Sequence, residues 1–262
     1  MASNGRRRRR RARYGIDGGA MVAPFLGPVQ AALAGLALWA LRRRRRGLAG
    51  LAGLASAAAA ALAVGYLYST GRGKLAVWAQ LLDELGLHGD ERVLDIGCGR
   101  GAVLILAARR LPRGQAVGVD VWRRRDQSGN SRDATFRNAV TEGVRDRVDV
   151  IDADARDLPF PTGFFDVVVS NLTIHNIRDD AGRAQALHQA ARVLRPGGRL
   201  RIVDDRADLY AETLRAAGCA EIAARRLDWR TSFGIPGHHL NLVAACKSLS
   251  EPGPSSSSGD RP

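Results

Sequence analysis

Cysteine is scarce in this sequence, with three residues among 262. Cys98, Cys219 and Cys246 stand far apart and form no C-x-x-C pair. The chain therefore has neither the spacing of a disulfide framework nor that of a structural zinc site. This usage is typical of a protein that is kept in a reducing compartment.

Acidic residues are nearly absent from the first 46 residues, which hold twelve arginines and one acid, Asp17. This stretch therefore carries +11 of the formal net charge of +14. The rest of the chain is close to neutral and lacks the basic stripe of a nucleic-acid-binding surface, so we expect no nucleic-acid partner. The high alanine, glycine and arginine content suits a GC-rich bacterial genome.

Two uncharged stretches of 24 residues each, 18–41 and 47–70, follow a basic tail that we expect to be disordered over residues 1–17. At about 1.5 Å per residue, either stretch is long enough to cross a hydrocarbon core of roughly 30 Å as a helix. With the arginines of residues 42–46 between them, they predict a hydrophobic helical pair that forms a membrane hairpin. The alternative is a peripheral pair of alanine-rich helices held at the lipid surface by the arginines. Membrane lipid is a partner in both interpretations.

The positive charges predict the orientation of such a hairpin. If both stretches span the membrane, the tail and residues 71–248 share one side, with nine positive charges there against five in the connecting loop. The positive-inside rule then places both in the cytoplasm, at a bacterial cell membrane.

The most informative stretch is residues 92–101, which read R-V-L-D-I-G-C-G-R-G. An apolar run ends at Asp95, and Gly97, Gly99 and Gly101 follow at alternate positions. This pattern predicts a buried parallel strand, a tight turn whose backbone approaches a ligand closely, and then a helix. The spacing differs from the G-x-G-x-x-G of dinucleotide-binding domains.

Strands and helices alternate along the rest of the chain. The apolar patterns predict strands over residues 92–96, 116–120, 148–151, 165–170, 200–203, 221–227 and 240–245. They predict helices over residues 75–87, 100–111, 133–142, 183–194 and 209–217.

Four motifs, in order, resemble those of class I S-adenosylmethionine-dependent methyltransferases. They are the glycine turn, an acid after the second strand, D-A-D-A-R-D-L-P-F at residues 152–160, and L-R-P-G-G at residues 194–198. The local pattern looks like methyltransferase type 11, the branch that includes ubiquinone/menaquinone methyltransferases. The resemblance implies an α/β, Rossmann-like domain over residues 71–248. Its sheet would be mostly parallel and seven-stranded, with helices on both faces, and residues 249–262 would form a disordered tail.

The resemblance also implies S-adenosylmethionine as cofactor and a set of cofactor-binding residues. These are Asp95, Gly97, Cys98, Gly99, Gly101, Asp120, Val121, Asp154, Ala155 and Asn171. Asp120 is expected to bind the ribose hydroxyls and Val121 to flank the adenine. Asp154 is expected to accept from the adenine amino group, with the backbone amide of Ala155 against a ring nitrogen. No metal site is implied.

His175, in the loop after the fourth strand, is a candidate general base for an acceptor that must lose a proton. A structural or cofactor-shielding role is the alternative. Weaker candidates for the acceptor pocket are His238, His239, Trp229 and Arg230. The loop reads S-N-L-T at residues 170–173, unlike the N-P-P-Y of relatives that methylate exocyclic amines of DNA bases or glutamine.

Two further segments have alternative interpretations. Residues 123–130 form an insert that either reads substrate or is only a loop ending at a helix cap, Asn130 or Ser131. Tyr68 and Lys74 either touch the carboxylate of the cofactor or are an interfacial tyrosine and a lysine that reaches the membrane surface.

The expected function is therefore transfer of a methyl group from S-adenosylmethionine to a small-molecule acceptor at the cytoplasmic membrane face. A lipid-soluble acceptor follows if the hairpin enters the membrane. The alternatives are a soluble acceptor, a cofactor-binding membrane module without turnover, and a nicotinamide oxidoreductase. The glycine spacing and the segment around Asp154 disfavour the oxidoreductase.

Overall fold

A computed structural model describes residues 12–18 and 27–249. Two N-terminal helices, α1 (Pro28–Arg42) and α2 (Arg46–Tyr68), form a helical hairpin. The side chain of Ser56 donates to Oε1 of Gln30 at 2.9 Å, which joins the middle of α2 to the start of α1. Helix α2 continues through a π-helical turn, Ser69–Gly73, into α3 (Lys74–Asp83).

Within the described residues, the first of the two predicted membrane segments contains a short helix. Helix α1 begins at Pro28, where the missing N–H costs no hydrogen bond, and has 15 residues. It is therefore about 22 Å long, shorter than a hydrocarbon core. Among the described residues, the one helix with the length and composition to cross a membrane is Arg46–Asp83, and 11% of its most apolar stretch is buried. Residues 19–26 of the predicted segment lie outside the described residues.

The rest of the described chain forms one seven-stranded sheet with helices against it. The strands are β1 (Arg92–Ile96), β2 (Gln115–Asp120), β3 (Val148–Asp152), β4 (Phe165–Asn171), β5 (Leu194–Asp204), β6 (Cys219–Arg226) and β7 (Asn241–Lys247). The remaining α-helices are α4 (Ala102–Ala108), α5 (Arg132–Thr141), α6 (Asp180–Val193) and α7 (Ala211–Ala216).

The strand order is β3-β2-β1-β4-β5-β7-β6, parallel except for β7, which is antiparallel to both neighbours. One buried cluster packs α3, α4 and α5 against one face, and a second packs α6 and α7 against the other. This covering explains why Val93 and Leu94, which point to opposite faces of β1, are both fully buried. The predicted mostly parallel, seven-stranded α/β sheet with helices on both faces is confirmed.

This topology places a crevice at the carboxyl ends of the central strands. Strand β1 pairs with β2 on one side and β4 on the other, so the chain order reverses there. Ligands of open α/β sheets bind at such a reversal. The glycine turn leaves β1 at this edge.

Several helices and strands begin or end at other residues than predicted, because tertiary contacts determine their ends. Strand β5 starts at Leu194 instead of residue 200, because Leu194 pairs with Phe165, and the register then shifts before Arg199 pairs with Val167. Helix α3 ends at Asp83, four residues before the predicted end. The helix cap at Ser131 is confirmed, since its hydroxyl accepts from the Ala134 amide.

Part of the predicted N-terminal tail is ordered. Arg13 N–H donates to Oδ1 of Asn138 at 3.0 Å, and Nδ2 of Asn138 donates to the Arg13 carbonyl at 3.0 Å. One amide side chain on α5 thus satisfies both peptide groups of Arg13, which the sequence did not suggest. Residues 1–11 and 250–262, the remainder of the two predicted tails, lie outside the described residues.

Candidate active site

A cavity of about 1380 Å³ lies at the carboxyl ends of the first four strands. It brings together nine of the ten residues predicted to bind the cofactor, and His175 also lines it. The nine are Asp95, Gly97, Cys98, Gly99, Asp120, Val121, Asp154, Ala155 and Asn171.

Gly101 is the predicted residue that does not line the cavity. It precedes α4 with a left-handed φ of 81°. An added Cβ would lie 2.8 Å from Cγ2 of Thr135, so the glycine lets α5 pack closely on the turn. Thr135 in turn donates from Oγ1 to the Gly99 carbonyl at 2.6 Å. Gly101 therefore shapes the glycine turn from behind.

Gly97 and Gly99 have left-handed φ values of 73° and 53° and form the floor of the cavity. An added Cβ on Gly99 would lie 2.5 Å from Oε1 of Gln127, and one on Gly97 would overlap the Thr173 side chain. No side chain fits at either position, so the turn presents bare backbone to the cavity.

Asp95 is 1% exposed, and its Oδ2 has no hydrogen-bond partner. Burial raises the pKa of this carboxyl to about 7, an effect that the charge of Lys74 and a backbone N–H partly offset. An unpartnered carboxylate oxygen in a ligand cavity needs a donor, because burying it without one is costly. A cationic donor such as the ammonium group of S-adenosylmethionine fits this requirement.

Asp120 has more partners within the protein than the sequence suggested. Its Oδ2 accepts from Gly99 N at 2.8 Å, and its Oδ1 accepts from Trp122 N at 2.6 Å and from Nδ2 of Asn130 at 3.3 Å. Burial raises the pKa of this carboxyl. A carboxylate offers about four acceptor positions, so Asp120 holds the glycine turn and retains one position, on Oδ2, for a ribose hydroxyl.

Asp154 and Ala155 follow β3 and line the same cavity. Both oxygens of Asp154 are bound by the Arg156 guanidinium, with Nη2 to Oδ2 at 2.7 Å, and this pairing lowers the pKa of the carboxyl. Val121, half exposed after β2, lies on the same side of the cavity. This side has the apolar wall and the acceptor that an adenine ring requires.

Cys98 and Asn171 complete the central part of the wall. The Cys98 thiol is buried, which raises its pKa well above the usual value and makes it an apolar surface. Asn171 ends β4, and its Oδ1 accepts from Nε1 of the buried Trp78 at 2.7 Å. This bond fixes helix α3 over the cavity.

His175 lies in a short 3₁₀ turn, Ile174–Asn176, beside the end of β5. Its Nδ1 lies 2.9 Å from Oδ1 of Asp204, and its backbone N–H donates to Oδ2 at 3.2 Å. Asp204 is 0% exposed. Burial acts to lower the pKa of His175, but the adjacent Asp204 carboxylate outweighs it and raises the pKa above the usual value.

The weaker acceptor-pocket candidates separate into two groups. His238 lines the cavity, with Nε2 3.3 Å from Oδ1 of Asp205. Trp229, Arg230 and His239 do not line it. The insert lies at the cavity edge, where Gln127 accepts from Arg100 N at 2.8 Å and so holds the glycine turn.

The sequence interpretation missed Asp17, Gln127 and Asp204, all distant in sequence from the groups they contact. Lys74, for which the sequence also allowed a position at the membrane surface, is 7% exposed and lines the cavity. One signal was available for it: Lys74 stands one helical turn before Trp78, on the apolar side of α3. Tyr68 stacks on Trp229 with ring centroids 5.2 Å apart.

Comparison with known proteins agrees with this geometry. Residues 94–202 match the family model described as a methyltransferase domain. A 27-O-demethylrifamycin SV methyltransferase of Amycolatopsis mediterranei is 34% identical over 158 residues, which is 57% of this chain and 54% of the relative. A ubiquinone/menaquinone biosynthesis C-methyltransferase of Pseudomonas entomophila is 31% identical over 134 residues, 50% of this chain and 49% of the relative.

The chain thus spans about half the length of the curated relatives it matches. Among solved structures, a geranyl diphosphate methyltransferase in complex with S-adenosylmethionine superposes with a TM-score of 0.53. It is 19% identical, and the match covers 68% of this chain and 87% of that one, a likeness in fold. The segment matched by the family model contains the glycine turn, Asp120 and Asp154. Residues 94–202 are therefore similar to a methyltransferase domain.

Proposed function

We propose that this protein methylates a lipid-soluble small molecule at the cytoplasmic face of a bacterial membrane, with S-adenosylmethionine as the methyl donor. The single observation that carries the proposal is the position of the cavity, which is lined both by the methyltransferase motifs and by the base of the helical hairpin.

The cofactor, when bound, supplies the electrophilic methyl group. The residues that would hold it are those of the cavity wall. Asp120 and the Gly97–Gly99 backbone suit the ribose and the central part of the cofactor. Asp154 and Ala155 suit the adenine. Methyl transfer requires little more than alignment of donor and acceptor in a site without water. The glycine turn and the insert would provide the surface on which the donor is aligned.

His175 suits an acceptor that loses a proton, such as a hydroxyl. Its Nδ1 lies against the buried Asp204, so Nε2 is the nitrogen that remains to take a proton from the acceptor. Asp204 would favour the charged imidazolium that results. The cofactor-shielding role considered for His175 requires no such buried partner.

The route for a lipid-soluble acceptor follows from the hairpin. Tyr66, near the end of α2, lines the cavity together with Phe233 and Ile235 of the loop after β6. Gly65 and Gly234 approach so closely that a Cβ on Gly65 would lie 2.5 Å from Cα of Gly234. The hairpin therefore meets the domain at the cavity mouth, and Ile235 is half exposed there.

The shortness of α1 favours a peripheral hairpin over two full spans. Leu38, Trp39, Leu51 and Leu54 are exposed on the two helices, and residues 42–46 at the tip are arginines. Exposed apolar side chains beside a cluster of arginines suit the surface of a leaflet rich in anionic lipid. The cytoplasmic leaflet faces the supply of S-adenosylmethionine.

The experiment incubates full-length protein with cofactor carrying a tritiated methyl group, together with either a lipid extract or an aqueous extract of bacteria. The proposal expects label to be incorporated into the lipid extract. The His175→Ala variant should incorporate it at a rate at least a hundredfold lower. Label only in aqueous metabolites would mean a soluble acceptor. Cofactor binding without label in either extract would mean a binding module without turnover.

A further inference from the structure

Five arginines line the cavity: Arg123, Arg124 and Arg125 at the start of the insert, Arg156 after β3, and Arg178 after β4. Two of the five have a carboxylate partner in the same wall. The Arg156 guanidinium binds both oxygens of Asp154, and Nε of Arg125 lies 3.4 Å from Oδ1 of Asp126. These two charges are therefore balanced within the protein.

The other three, Arg123, Arg124 and Arg178, are called here the arginine rim. Their guanidinium groups make no hydrogen bond or ion pair with any residue that the structure describes. All three are exposed where the cavity opens to solvent. A guanidinium holds five N–H donors in a planar fork, which matches the oxygens of a phosphate or carboxylate group. The rim therefore has both the charge and the donors to bind an anion.

The acids of the same wall do not neutralise the rim, because each has a partner of its own. Oδ2 of Asp17 lies 2.7 Å from Nζ of Lys74. Oδ1 of Asp205 lies 3.3 Å from Nε2 of His238. The Asp179 side chain caps the N-terminus of α6, where it accepts a backbone N–H. Outside the predicted cofactor-binding residues, the unpartnered charges of the wall are thus positive.

The rim lies on both sides of His175. Arg178 follows His175 by three residues in the same loop. Burial acts to lower the pKa of His175, while the carboxylate of Asp204 and, more weakly, that of Asp126 raise it. Asp126 belongs to the insert, so the insert faces His175 across the cavity. An anion bound by the rim would therefore lie beside the residue that suits proton transfer from the acceptor.

The remaining part of the cavity mouth is apolar. Tyr66, Phe233 and Ile235 line it at the base of the helical hairpin. The cavity volume of about 1380 Å³ exceeds the roughly 300–1,000 Å³ of most ligand pockets, so a second ligand fits beside the cofactor. A basic side and an apolar side around one opening suit a molecule with an anionic head and an apolar body.

We propose that the arginine rim binds a phosphate group of the methyl acceptor, which is then an amphiphile with a phosphomonoester or diphosphate at one end. Three positive charges suit a group with two or more negative charges better than a single carboxylate. Phosphates of the bilayer have the same chemistry, but the rim lines the cavity beside His175, where the acceptor must lie. The inference rests on the proposed function, since it concerns the acceptor of the same cavity.

The first test is the charge of the methylated product. Full-length protein is incubated with the tritiated cofactor and the lipid extract, and the labelled lipid is passed over an anion-exchange resin at neutral pH. The label should be retained, and treatment with a phosphatase should abolish its retention. Labelled lipid that passes through untreated would overturn the inference and leave the proposed function intact. Absence of label from the lipid extract would overturn both.

The second test is binding of octyl phosphate and of 1-octanol, which differ only in the phosphate. Calorimetry on the full-length protein in a nonionic detergent, saturated with S-adenosylhomocysteine, should give at least tenfold tighter binding of octyl phosphate. The triple variant Arg123→Gln/Arg124→Gln/Arg178→Gln should lose this difference. Its unchanged affinity for S-adenosylhomocysteine shows that it is folded. Equal binding of the two probes to the unmodified protein would overturn the inference.

The matched control is Arg113→Gln/Arg137→Gln/Arg215→Gln, which removes the same three charges from exposed positions outside the cavity wall. It should bind octyl phosphate as the unmodified protein does, and an equal loss in both triple variants would mean unspecific attraction. Both variants should bind phosphatidylglycerol vesicles equally well. A loss on vesicles in the rim variant alone would assign the rim to the bilayer. Inorganic phosphate that binds as tightly as octyl phosphate would indicate a site for a free anion, and each of these three results would overturn the inference.

Discussion

Nδ1 of His175 lies 2.9 Å from Oδ1 of Asp204, and Asp204 has no exposed surface. The two residues come from neighbouring parallel strands, since His175 follows β4 and Asp204 ends β5. A buried carboxylate in this position holds the imidazole ring in one orientation and stabilises its protonated form.

This pair predicts the pH dependence of turnover. His175 must be neutral to accept a proton, and Asp204 raises the pKa of His175. The rate should therefore increase with pH through that raised pKa. In Asp204→Asn the increase should occur at lower pH, because the carboxylate that stabilises the imidazolium is gone. The kcat profile between pH 5 and 9 measures this shift.

The control for the His175–Asp204 pair is the substitution His188→Ala, because His188 is an exposed residue of α6. It should leave the profile unchanged. His175→Ala should lower kcat by about 10²-fold or more while the affinity for the cofactor stays the same. If Asp204→Asn leaves the pH profile of kcat unchanged, the His175–Asp204 pair has no part in the mechanism.

Gly99→Asp should abolish cofactor binding, since its Cβ would collide with Gln127 and its charge would face Asp120. Gly143→Asp is the matched control. Gly143 also has a positive φ, 71°, but an added Cβ would meet nothing within 4 Å. It should cost about 1–2 kcal/mol of stability from backbone strain alone and leave binding intact. Equal affinity in the two variants would contradict the placement of the turn.

Asp95→Asn should stabilise the ligand-free protein at pH 8. Burial raises the pKa of Asp95 to about 7, from 3.8 in the unfolded chain. Its protonation therefore favours folding fully below about pH 4, and this contribution is lost as the pH rises to about 7. The variant should gain up to about 4 kcal/mol in free energy of unfolding at pH 8, because one pKa unit corresponds to about 1.36 kcal/mol.

Two denaturation series, at pH 4 and pH 8, measure this difference, which should nearly vanish at the lower pH. The same substitution should weaken binding of S-adenosylmethionine, since the ammonium loses a charged acceptor. No gain in stability at pH 8 would mean that the carboxylate has a compensating partner in solution.

The arginines of residues 42–46 should attach the protein to anionic vesicles. Replacing all five with glutamine should weaken co-sedimentation with phosphatidylglycerol-containing vesicles at least tenfold, since each basic side chain near the surface contributes about 1 kcal/mol. Binding to neutral vesicles should depend on the exposed apolar residues and change little. The double variant Arg145→Gln/Arg147→Gln, on a turn after α5, is the control. Equal binding of all variants would exclude an electrostatic attachment.

The sheet was predictable from sequence because its signals are local. An apolar run before Asp95 and glycines at fixed spacing determine a strand and turn within ten residues. The structure of residues 194–198 was harder to predict. Their proline and glycines indicate a turn, yet β5 begins at Leu194 because this residue pairs with Phe165. That pairing depends on a partner strand about thirty residues away.

The cavity wall was predictable only in part, for the same reason. Asp17 and Lys74 are 57 positions apart, and Arg13 and Asn138 are 125 apart. No periodicity connects residues at such separations. A basic, glycine-containing N-terminus is typical of a disordered segment, and residues 12–18 are held by contacts with Asn138, Lys74, Tyr66 and the insert.

Titration of S-adenosylmethionine and of NAD into the purified full-length protein, by calorimetry in detergent, is the most direct measurement of the central claim. The account predicts binding of S-adenosylmethionine in the micromolar range and no heat from NAD. Binding of NAD alone, or of neither compound, would contradict the assignment of the cavity to S-adenosylmethionine.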